Sequence, residues 1–452
     1  MLSFLQGANS FLYTYILIAV LIGCGVYFTV RTRGVQFRLF LDSCRQLGRS
    51  DETQPGGKHV SSFQAFAVSL ASRVGTGNLA GVATAISVGG PGAVFWMWVT
   101  ALVGGATGFV EATLAQLYKR KDKHSFIGGP AYYIEKGLGL RWMAVISALL
   151  IIFTFAFGFT SVQCNTIGLA FENEFGWNHV WVGVVVAAAV GLIIFGGVQR
   201  IAKFSAAIVP VMALGYIGLS LVVLFMNIGS VPSALSLIVE SAFGLRPAAG
   251  GLVGAAIMQG VRRGLFSNEA GLGSAPNAAA TAHVSHPVKQ GLVQSLGVFI
   301  DTIVICTCTA LTILLSGVDI TACSGIELTQ AAVTSQTGPI GSLVVTVSLF
   351  FFAFSTIIGN YYYGEANLRF FTKKKGALNA LRVAVVAMVV TGSCISMDAA
   401  WELSDIFMGL SGLCNLVALV LLSPQVYRAL DDYTKQRKSG IKNPKMPDWW
   451  EQ

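Results

Sequence analysis

Two apolar stretches of this chain are interrupted at their centres by nearly the same glycine-rich phrase, 190 residues apart. The first reads Val74-Gly75-Thr76-Gly77-Asn78-Leu79-Ala80-Gly81-Val82-Ala83-Thr84-Ala85, the second Gly264-Leu265-Phe266-Ser267-Asn268-Glu269-Ala270-Gly271-Leu272-Gly273-Ser274-Ala275. With Asn78 set on Asn268, Ala80, Gly81 and Ala85 fall on Ala270, Gly271 and Ala275. Small residues let membrane helices pack closely, and shared composition alone would produce some likeness. An asparagine at a coincident break is more than composition supplies. A helix broken inside a bilayer frees carbonyls and amides that lipid cannot satisfy, so the break must line a cavity or pack within protein. A matched pair of such breaks in two halves of a chain marks the substrate site of a secondary transporter.

The composition fits a membrane setting. The chain has 452 residues, 54% hydrophobic and only 11% charged, far from the balance of a soluble domain. Its apolar segments are about twenty residues long and lack the ten-residue alternation of barrel strands. The first, Phe11 to Val30, carries no charge and has neither the basic lead nor the cleavage site of a signal peptide. Eight cysteines are scattered without metal-ligand or C-x-x-C spacing. Cys24, Cys164, Cys306, Cys308, Cys394 and Cys414 lie in apolar runs and read as small buried hydrophobes. His283 and His286 stand three apart beside Pro287 and read as a helix terminus.

Apolar stretches predict eleven spans, near 11–30, 62–89 (broken), 92–118, 142–170, 180–198, 204–226, 250–282 (broken), 288–316, 339–365, 378–396 and 401–424. With the amino terminus outside, the cytoplasmic side receives 26 of the 30 Lys and Arg, Arg49, Lys58 and Lys123 among them. Only Arg246 falls outside, while Arg73, Arg262 and Arg263 sit within broken spans. The external loops are neutral to acidic, as in Phe171-Glu172-Asn173-Glu174 and Asp319 to Glu327. This asymmetry supports the eleven spans and a multi-pass membrane protein with a cytoplasmic carboxyl terminus. It also accounts for the net charge of +9 without a nucleic-acid partner.

After the first span ten remain, and the broken ones are the first and sixth. Five is odd, so two five-helix halves cross the membrane in opposite directions. The expected fold is therefore all-α, a leucine-transporter-type 5+5 inverted repeat preceded by one extra helix. Residues 1–61 would form the extra helix and a basic loop, 62–227 and 228–424 the two repeats, and 425–452 a basic tail.

The chain resembles the alanine or glycine:cation symporter family of bacteria, the sodium:alanine symporters, over essentially its whole length. The likeness is densest in Val74 to Ala83, Gly89-Gly-Pro-Gly-Ala-Val-Phe-Trp-Met-Trp98, Gly128-Gly-Pro-Ala-Tyr-Tyr133 and Arg263 to Pro276. The resemblance implies Na⁺-coupled uptake of small neutral amino acids such as alanine and glycine, with no cofactor, by a chain working as a monomer. One departure is Asn360, where many relatives carry Trp close to the substrate pocket, so side-chain selectivity does not carry over.

A zwitterionic amino acid needs both charges solvated without bare counter-charges. Helix halves starting after Asn78 and Asn268 offer free N–H groups to its carboxylate, and halves ending near Val74 and Gly264 offer carbonyls to its ammonium and to Na⁺. Thr76, Gly77 and Asn78 are the first substrate candidates, with Phe266, Ser267 and Asn268 as the opposing wall and Phe266 capping the side chain. Gln163 lies in a polar cluster, Thr160 to Thr166, inside the fourth span. The resemblance assigns it to substrate contact; the other reading is interhelical hydrogen bonding, which also suits Asn165 and Thr166. For Na⁺, Ser355 and Thr356 occupy the helix whose hydroxyls, in this fold, meet carbonyls of the first core helix, here Ala71 and Val74.

Intramembrane carboxylates are functional candidates. Asp301 is a weaker cation ligand that would join Asn78 and Ser267, Glu111 a brace for freed amides, and Glu269 a partner for Arg73, Arg262 or Arg263. A proton-coupled transporter of the same fold for another small amine-bearing substrate is the alternative, with Asp301 and Glu111 relaying H⁺. A channel would need a ring of pore residues. An enzyme would need a motif such as G-x-S-x-G or H-E-x-x-H, and neither occurs.

Overall fold

The structure is a computed structural model that describes residues 2–48, 60–122, 125–196, 198–245 and 253–446. Arg49, Lys58, Lys123 and Arg246, used above to orient the chain, lie outside the described residues. The fold is all-helical, at 84% helix. Besides the helices there is a small antiparallel hairpin, Arg120–Asp122 with Ser125–Ile127.

Among the described residues, eight helices are long and apolar enough to cross a membrane. They are α1 (Ser3–Arg31), α5 (Gly92–Leu117), α6 (Arg141–Phe175), α8 (Lys203–Met226), α12 (Pro287–Leu315), α14 (Pro339–Phe371), α15 (Lys375–Cys394) and α16 (Met397–Lys438). Between them run α2 (Phe40–Leu47), α3 (Ser62–Arg73), α4 (Gly77–Gly89), α7 (His179–Ile194), α9 (Ile228–Ala242), α10 (Val253–Asn268), α11 (Ala275–Ala279) and α13 (Gly325–Thr337). The sequence reading left α9 and α13 as connections, because neither is long enough to register as a span. Apolar side chains such as Leu192, Val211, Leu214 and Phe225 are 68–74% exposed, a surface that suits lipid and not water.

Local chemistry explains where the helices start and stop. α3 opens with a capping box, Ser61 Oγ accepting from the Gln64 amide at 3.1 Å and Gln64 Oε1 from the Ser61 amide at 3.0 Å. It stops at Val74, whose backbone turns extended (φ −75°, ψ 93°), and winding resumes with one wide turn at Gly77–Gly81. α10 stops at Asn268. Glu269 (φ 55°), Gly271 (φ 88°) and Gly273 (φ 84°) then take left-handed backbone before α11. A Cβ on Gly273 would stand 2.5 Å from Pro130 Cγ, so only glycine fits that turn. A parallel bridge, Val60 with Ala282, ties the approach to α3 to the exit from α11. His286 caps α12 by accepting from the Val288 amide at 3.2 Å.

α5 lies along both α12 and α10, while α6 packs on α14 and α15. The interruptions after α3 and α10 are thereby enclosed on all sides, and Thr76, Asn78, Ser267 and Asn268 are fully buried. One expectation needs correcting. Of the six cysteines read as buried, Cys24 and Cys414 are half-buried and Cys394 is exposed. In a bilayer a small weakly polar thiol can face hydrocarbon, so an apolar run does not imply burial in protein.

Candidate functional site: two helix interruptions and their hydroxyl wall

Val74, Gly75 and Thr76 present backbone polar groups that α3 no longer uses, and three side chains come to them. Asn78 Oδ1 accepts from the Gly75 amide at 2.9 Å. Gln163, from α6, accepts through Oε1 from the Thr76 amide at 3.0 Å. Thr356, from α14, donates toward the carbonyls of Ala71 (3.0 Å) and Val74 (3.2 Å), and Ser355 Oγ lies 3.4 Å from the same Ala71 oxygen. A Cβ on Gly75 would stand 2.5 Å from Thr356 Oγ1 and 2.9 Å from Gln163 Oε1. Glycine there is a condition of the hydroxyls reaching the backbone.

The oxygens of Ala71, Val74, Ser355 and Thr356 thus share one buried spot, two carbonyls and two hydroxyls with no carboxylate among them. Each hydroxyl has a single proton and more than one acceptor in range, Phe352 O included (2.9 Å from Ser355, 3.0 Å from Thr356). Lone pairs on both hydroxyl oxygens therefore stay available. A hard monovalent cation is suited by such a neutral oxygen set.

Below it a second cluster gathers on Asn78. Its Nδ2 lies 2.7 Å from Asp301 Oδ1, 3.2 Å from Ser267 Oγ and 3.3 Å from Cys306 Sγ. Ser267 and Thr302 both donate to Asp301 Oδ2, at 2.5 and 2.9 Å. Asp301 is therefore a carboxylate held by three neutral donors, joined to Asn78 and Ser267. Thr309 fixes the other side by donating to Asn78 O at 2.7 Å.

Phe266 closes this space from the α10 side. It lies between Phe159 (4.2 Å between ring centroids) and Trp401 (4.6 Å, edge-on), two contacts of about 0.5–1.5 kcal/mol each beyond burial. A Cβ on Gly77 would meet Phe266 Cδ1 at 2.9 Å. Two polar atoms of this wall, Thr76 Oγ1 and Asn268 Nδ2, are buried without any hydrogen-bond partner. Such orphans are rare enough in native proteins to require a reason.

The sequence-derived residues therefore fall into two adjoining groups, one around Val74–Thr76 and one around Asn78. Gln163 bonds the interrupted backbone and so makes the interhelical contact of its second reading, within the same space that the first reading required. Asn165 donates to Ile395 O at 2.5 Å across to the α15–α16 connection, whereas Thr166 bonds only its own helix, to Val162 O at 2.8 Å. Asn360 accepts from Ser72 at 2.9 Å, and its Nδ2 is another buried orphan. Glu111 Oε2 accepts from the Gly273 amide at 3.3 Å and from Asn415 at 3.1 Å, bracing the second interruption.

The pairing of Glu269 differs from expectation. Its carboxylate takes Ser72 Oγ (3.1 Å) and Ser274 Oγ (2.6 Å), and among the described residues no arginine lies within ion-pair distance of it. Arg262 and Arg263 instead turn to Asp405 on α16, at 3.4 and 3.1 Å, with Glu402 at 3.6 Å from Arg262. Arg263 also stacks over Trp401 at 3.9 Å and Arg262 over Tyr13 at 4.6 Å. Helix α1 completes the cluster: Asn9 donates to Glu402 Oε2 at 2.5 Å and Tyr13 to Asp405 O at 3.1 Å. Arg73 donates to Gln294 O at 3.2 Å. Sequence reasoning missed Asp405, although an intramembrane acid within the last span was the available signal. It also missed Trp401 and Phe159, which nothing local distinguishes from ordinary core aromatics.

A family model described as "Sodium:alanine symporter family" matches residues 1–448. The chain belongs to that family. Among its curated relatives is the "Probable sodium/glutamine symporter GlnT" of Bacillus subtilis, 52% identical over 96% of this chain and 91% of that protein. The "Amino-acid carrier protein AlsT" of the same organism is 51% identical, covering 96% and 92%. The "Sodium/alanine symporter AgcS" of Methanococcus maripaludis is 40% identical, covering 98% and 99%. Among solved structures, MhsT in complex with L-phenylalanine superposes with a TM-score of 0.60 at 14% identity, covering 79% of this chain and 88% of that one. At that identity the likeness speaks for the fold alone, which is of the leucine-transporter type. Family and fold together make this a membrane-embedded, cation-coupled amino-acid symporter.

Proposed function

We propose that the chain couples the inward movement of one small neutral amino acid, alanine or glycine, to that of Na⁺. Na⁺ would sit among the oxygens of Ala71, Val74, Ser355 and Thr356, the substrate between Thr76–Asn78 and Phe266–Asn268, with Gln163 at its edge. The observation that carries this reading is the pair of buried orphans, Thr76 Oγ1 and Asn268 Nδ2, one on each interruption. Neutral polar groups on both breaks, a hydroxyl on one and an amide on the other, are what the two ends of a zwitterion require. Phe266 packs directly on Gly77, where a Cβ would stand 2.9 Å from its ring, and a wall that close favours a small substrate side chain. Asp301 would tune the second cluster and serve as a subsidiary cation ligand.

In this reading the chain crosses the membrane eleven times, with the amino terminus outside. The eight long helices are joined by α7 and by two interrupted crossings, α3 with α4 and α10 with α11, giving the five-plus-five inverted arrangement. Alternating access would then rock one set of helices about a site fixed at the interruptions.

Proton coupling is the second reading, because relatives include the "Sodium/proton-dependent alanine carrier protein" of Bacillus sp.. The test is uptake of radiolabelled alanine, glycine, serine and glutamine into proteoliposomes under a Na⁺ gradient, then with choline replacing Na⁺ and a pH gradient imposed. Uptake of alanine or glycine only with Na⁺ is expected. Uptake that follows the pH gradient in choline would overturn Na⁺ coupling, and a preference for glutamine would overturn the substrate.

A further inference from the structure

At the end of the protein away from Asp405, α1 stops and the chain turns sharply through Arg33 (φ 57°) and Gly34 (φ 63°). Left-handed backbone at a non-glycine residue is strained, and its persistence points to a use for the side chain it displays. Arg33 opens into a cavity of about 400 Å³ with Arg31, Arg38, Lys435 and Lys438 in its wall and Asp431 as its one acid. A second cavity of about 460 Å³ adjoins it, sharing Arg38 and Lys438 and adding Arg45, Arg437 and Asp42. Seven basic residues thus face two aspartates.

The ion pairing is uneven. Asp42 is committed to Arg437 at 2.9 Å and to the Tyr433 hydroxyl at 2.7 Å. Among the described residues Asp431 has no cation within ion-pair distance, and Arg33, Arg45, Lys435 and Lys438 have no side-chain hydrogen bond or ion pair. Arg38 reaches Thr32 O, at 3.4 Å, and Arg31 engages Tyr427, its guanidinium 5.1 Å over the ring. Like charges gathered in a concave wall without counter-ions repel one another unless an anion joins them. Beside the cavities, Val30, Phe37 and Leu41 are 58–70% exposed. A bare apolar rim next to a basic hollow is the profile of a bilayer interface, with acyl chains on one side and headgroups on the other.

We propose that these joined cavities bind the headgroup of an anionic phospholipid, one phosphate in each where the lipid carries two. The recognising chemistry is that of phosphate oxyanions, which arginines bind bidentately. The exposed Val30, Phe37 and Leu41 assign the phosphate to a lipid and not to a soluble ion. The site is built by the turn after α1, by α2 and by the end of α16, none of which lines the two interruptions, so it is independent of the transport reading.

The full chain, purified in neutral detergent and stripped of lipid, is titrated with cardiolipin, phosphatidylglycerol, phosphatidylcholine and inorganic pyrophosphate. Thermal unfolding and native mass spectrometry report binding. Cardiolipin is expected to bind most tightly, phosphatidylglycerol next, phosphatidylcholine and pyrophosphate negligibly. The triple variant R33Q/R38Q/K435Q, at exposed positions with little to lose in folding, should melt as the parent does without lipid. It should bind anionic lipid roughly fivefold more weakly for each basic residue removed. The variant K374Q/K375Q, at the start of α15 outside the cavities, should bind as the parent does. An equal loss in K374Q/K375Q would replace the site by diffuse leaflet attraction. Stabilisation by pyrophosphate equal to that by cardiolipin would make it a soluble-phosphate site, and unaltered lipid binding by the triple variant would overturn it outright.

Discussion

Thr356 Oγ1 lies 3.0 Å from the carbonyl of Ala71 and 3.2 Å from that of Val74, 285 and 282 residues away in the chain. One hydroxyl therefore ties α14 to the last turn of α3 where that helix gives up its own hydrogen bonding. If this spot holds the coupling ion, Thr356→Ala removes a ligand and leaves the interruption in place. The half-saturating Na⁺ concentration should rise roughly tenfold, the worth of one bond to a charged group. Alanine affinity at saturating Na⁺ should stay put and fall at low Na⁺, as linkage requires. Thr356→Ser should restore most of the Na⁺ affinity. Alanine binding lost equally at every Na⁺ level would place the hydroxyl in the substrate site instead.

Asn78→Leu takes a different element from the site. It deletes the acceptor for the Gly75 amide and one of the three donors to Asp301. Substrate binding measured by scintillation proximity should disappear in protein that remains monodisperse in detergent. Retained alanine affinity in such protein would remove Asn78 from the substrate wall.

Gly77→Ala tests the closeness of Phe266, since the added methyl carbon would stand 2.9 Å from its ring. Overpacking of this kind costs about 1–3 kcal/mol, and the substrate should be displaced before the fold is. Alanine should lose more affinity than glycine. Equal losses for the two would show that the contact does not limit side-chain size.

The cluster around Asp405 gives a stability prediction. Asp405→Asn leaves Arg262 and Arg263 buried against a neutral amide, and breaking a buried pair costs about 3–5 kcal/mol. A large drop in the detergent melting temperature is expected, with partial recovery in Asp405→Glu. A variant as stable as its parent would mean the arginines find water.

The orientation can be read from two native thiols. In chains keeping only Cys44 or only Cys323, an impermeant maleimide applied to intact cells should label Cys323 and spare Cys44. Labelling of both from outside would dismantle the eleven-span arrangement.

Legibility in the sequence followed a physical rule. Polar residues inside apolar runs, such as Asn78, Gln163, Ser355 and Thr356, announce themselves because lipid penalises them, and the structure brings all four to the first interruption. What stayed hidden depends on partners distant in the chain. Glu269 looked like a counter-ion for Arg73, Arg262 or Arg263, yet the left-handed turn at Glu269 aims its carboxylate at two serines while Arg262 and Arg263 turn to α16. Helix α9 was missed because it is shorter than a span, and Cys394 was misjudged because hydropathy does not distinguish a lipid face from a protein core.

The Arg262–Arg263 pair also bears on how the protein is made. An arginine at the centre of a membrane-crossing helix costs about 2.5–3.5 kcal/mol on insertion, and α10 carries two in succession. Its counter-charge, Asp405, lies 142 residues downstream of Arg263, beyond everything the ribosome has delivered when α10 emerges. If α10 crosses the bilayer, it does so at a cost until α16 brings Asp405 to its arginines and α1, the first helix made, closes over both.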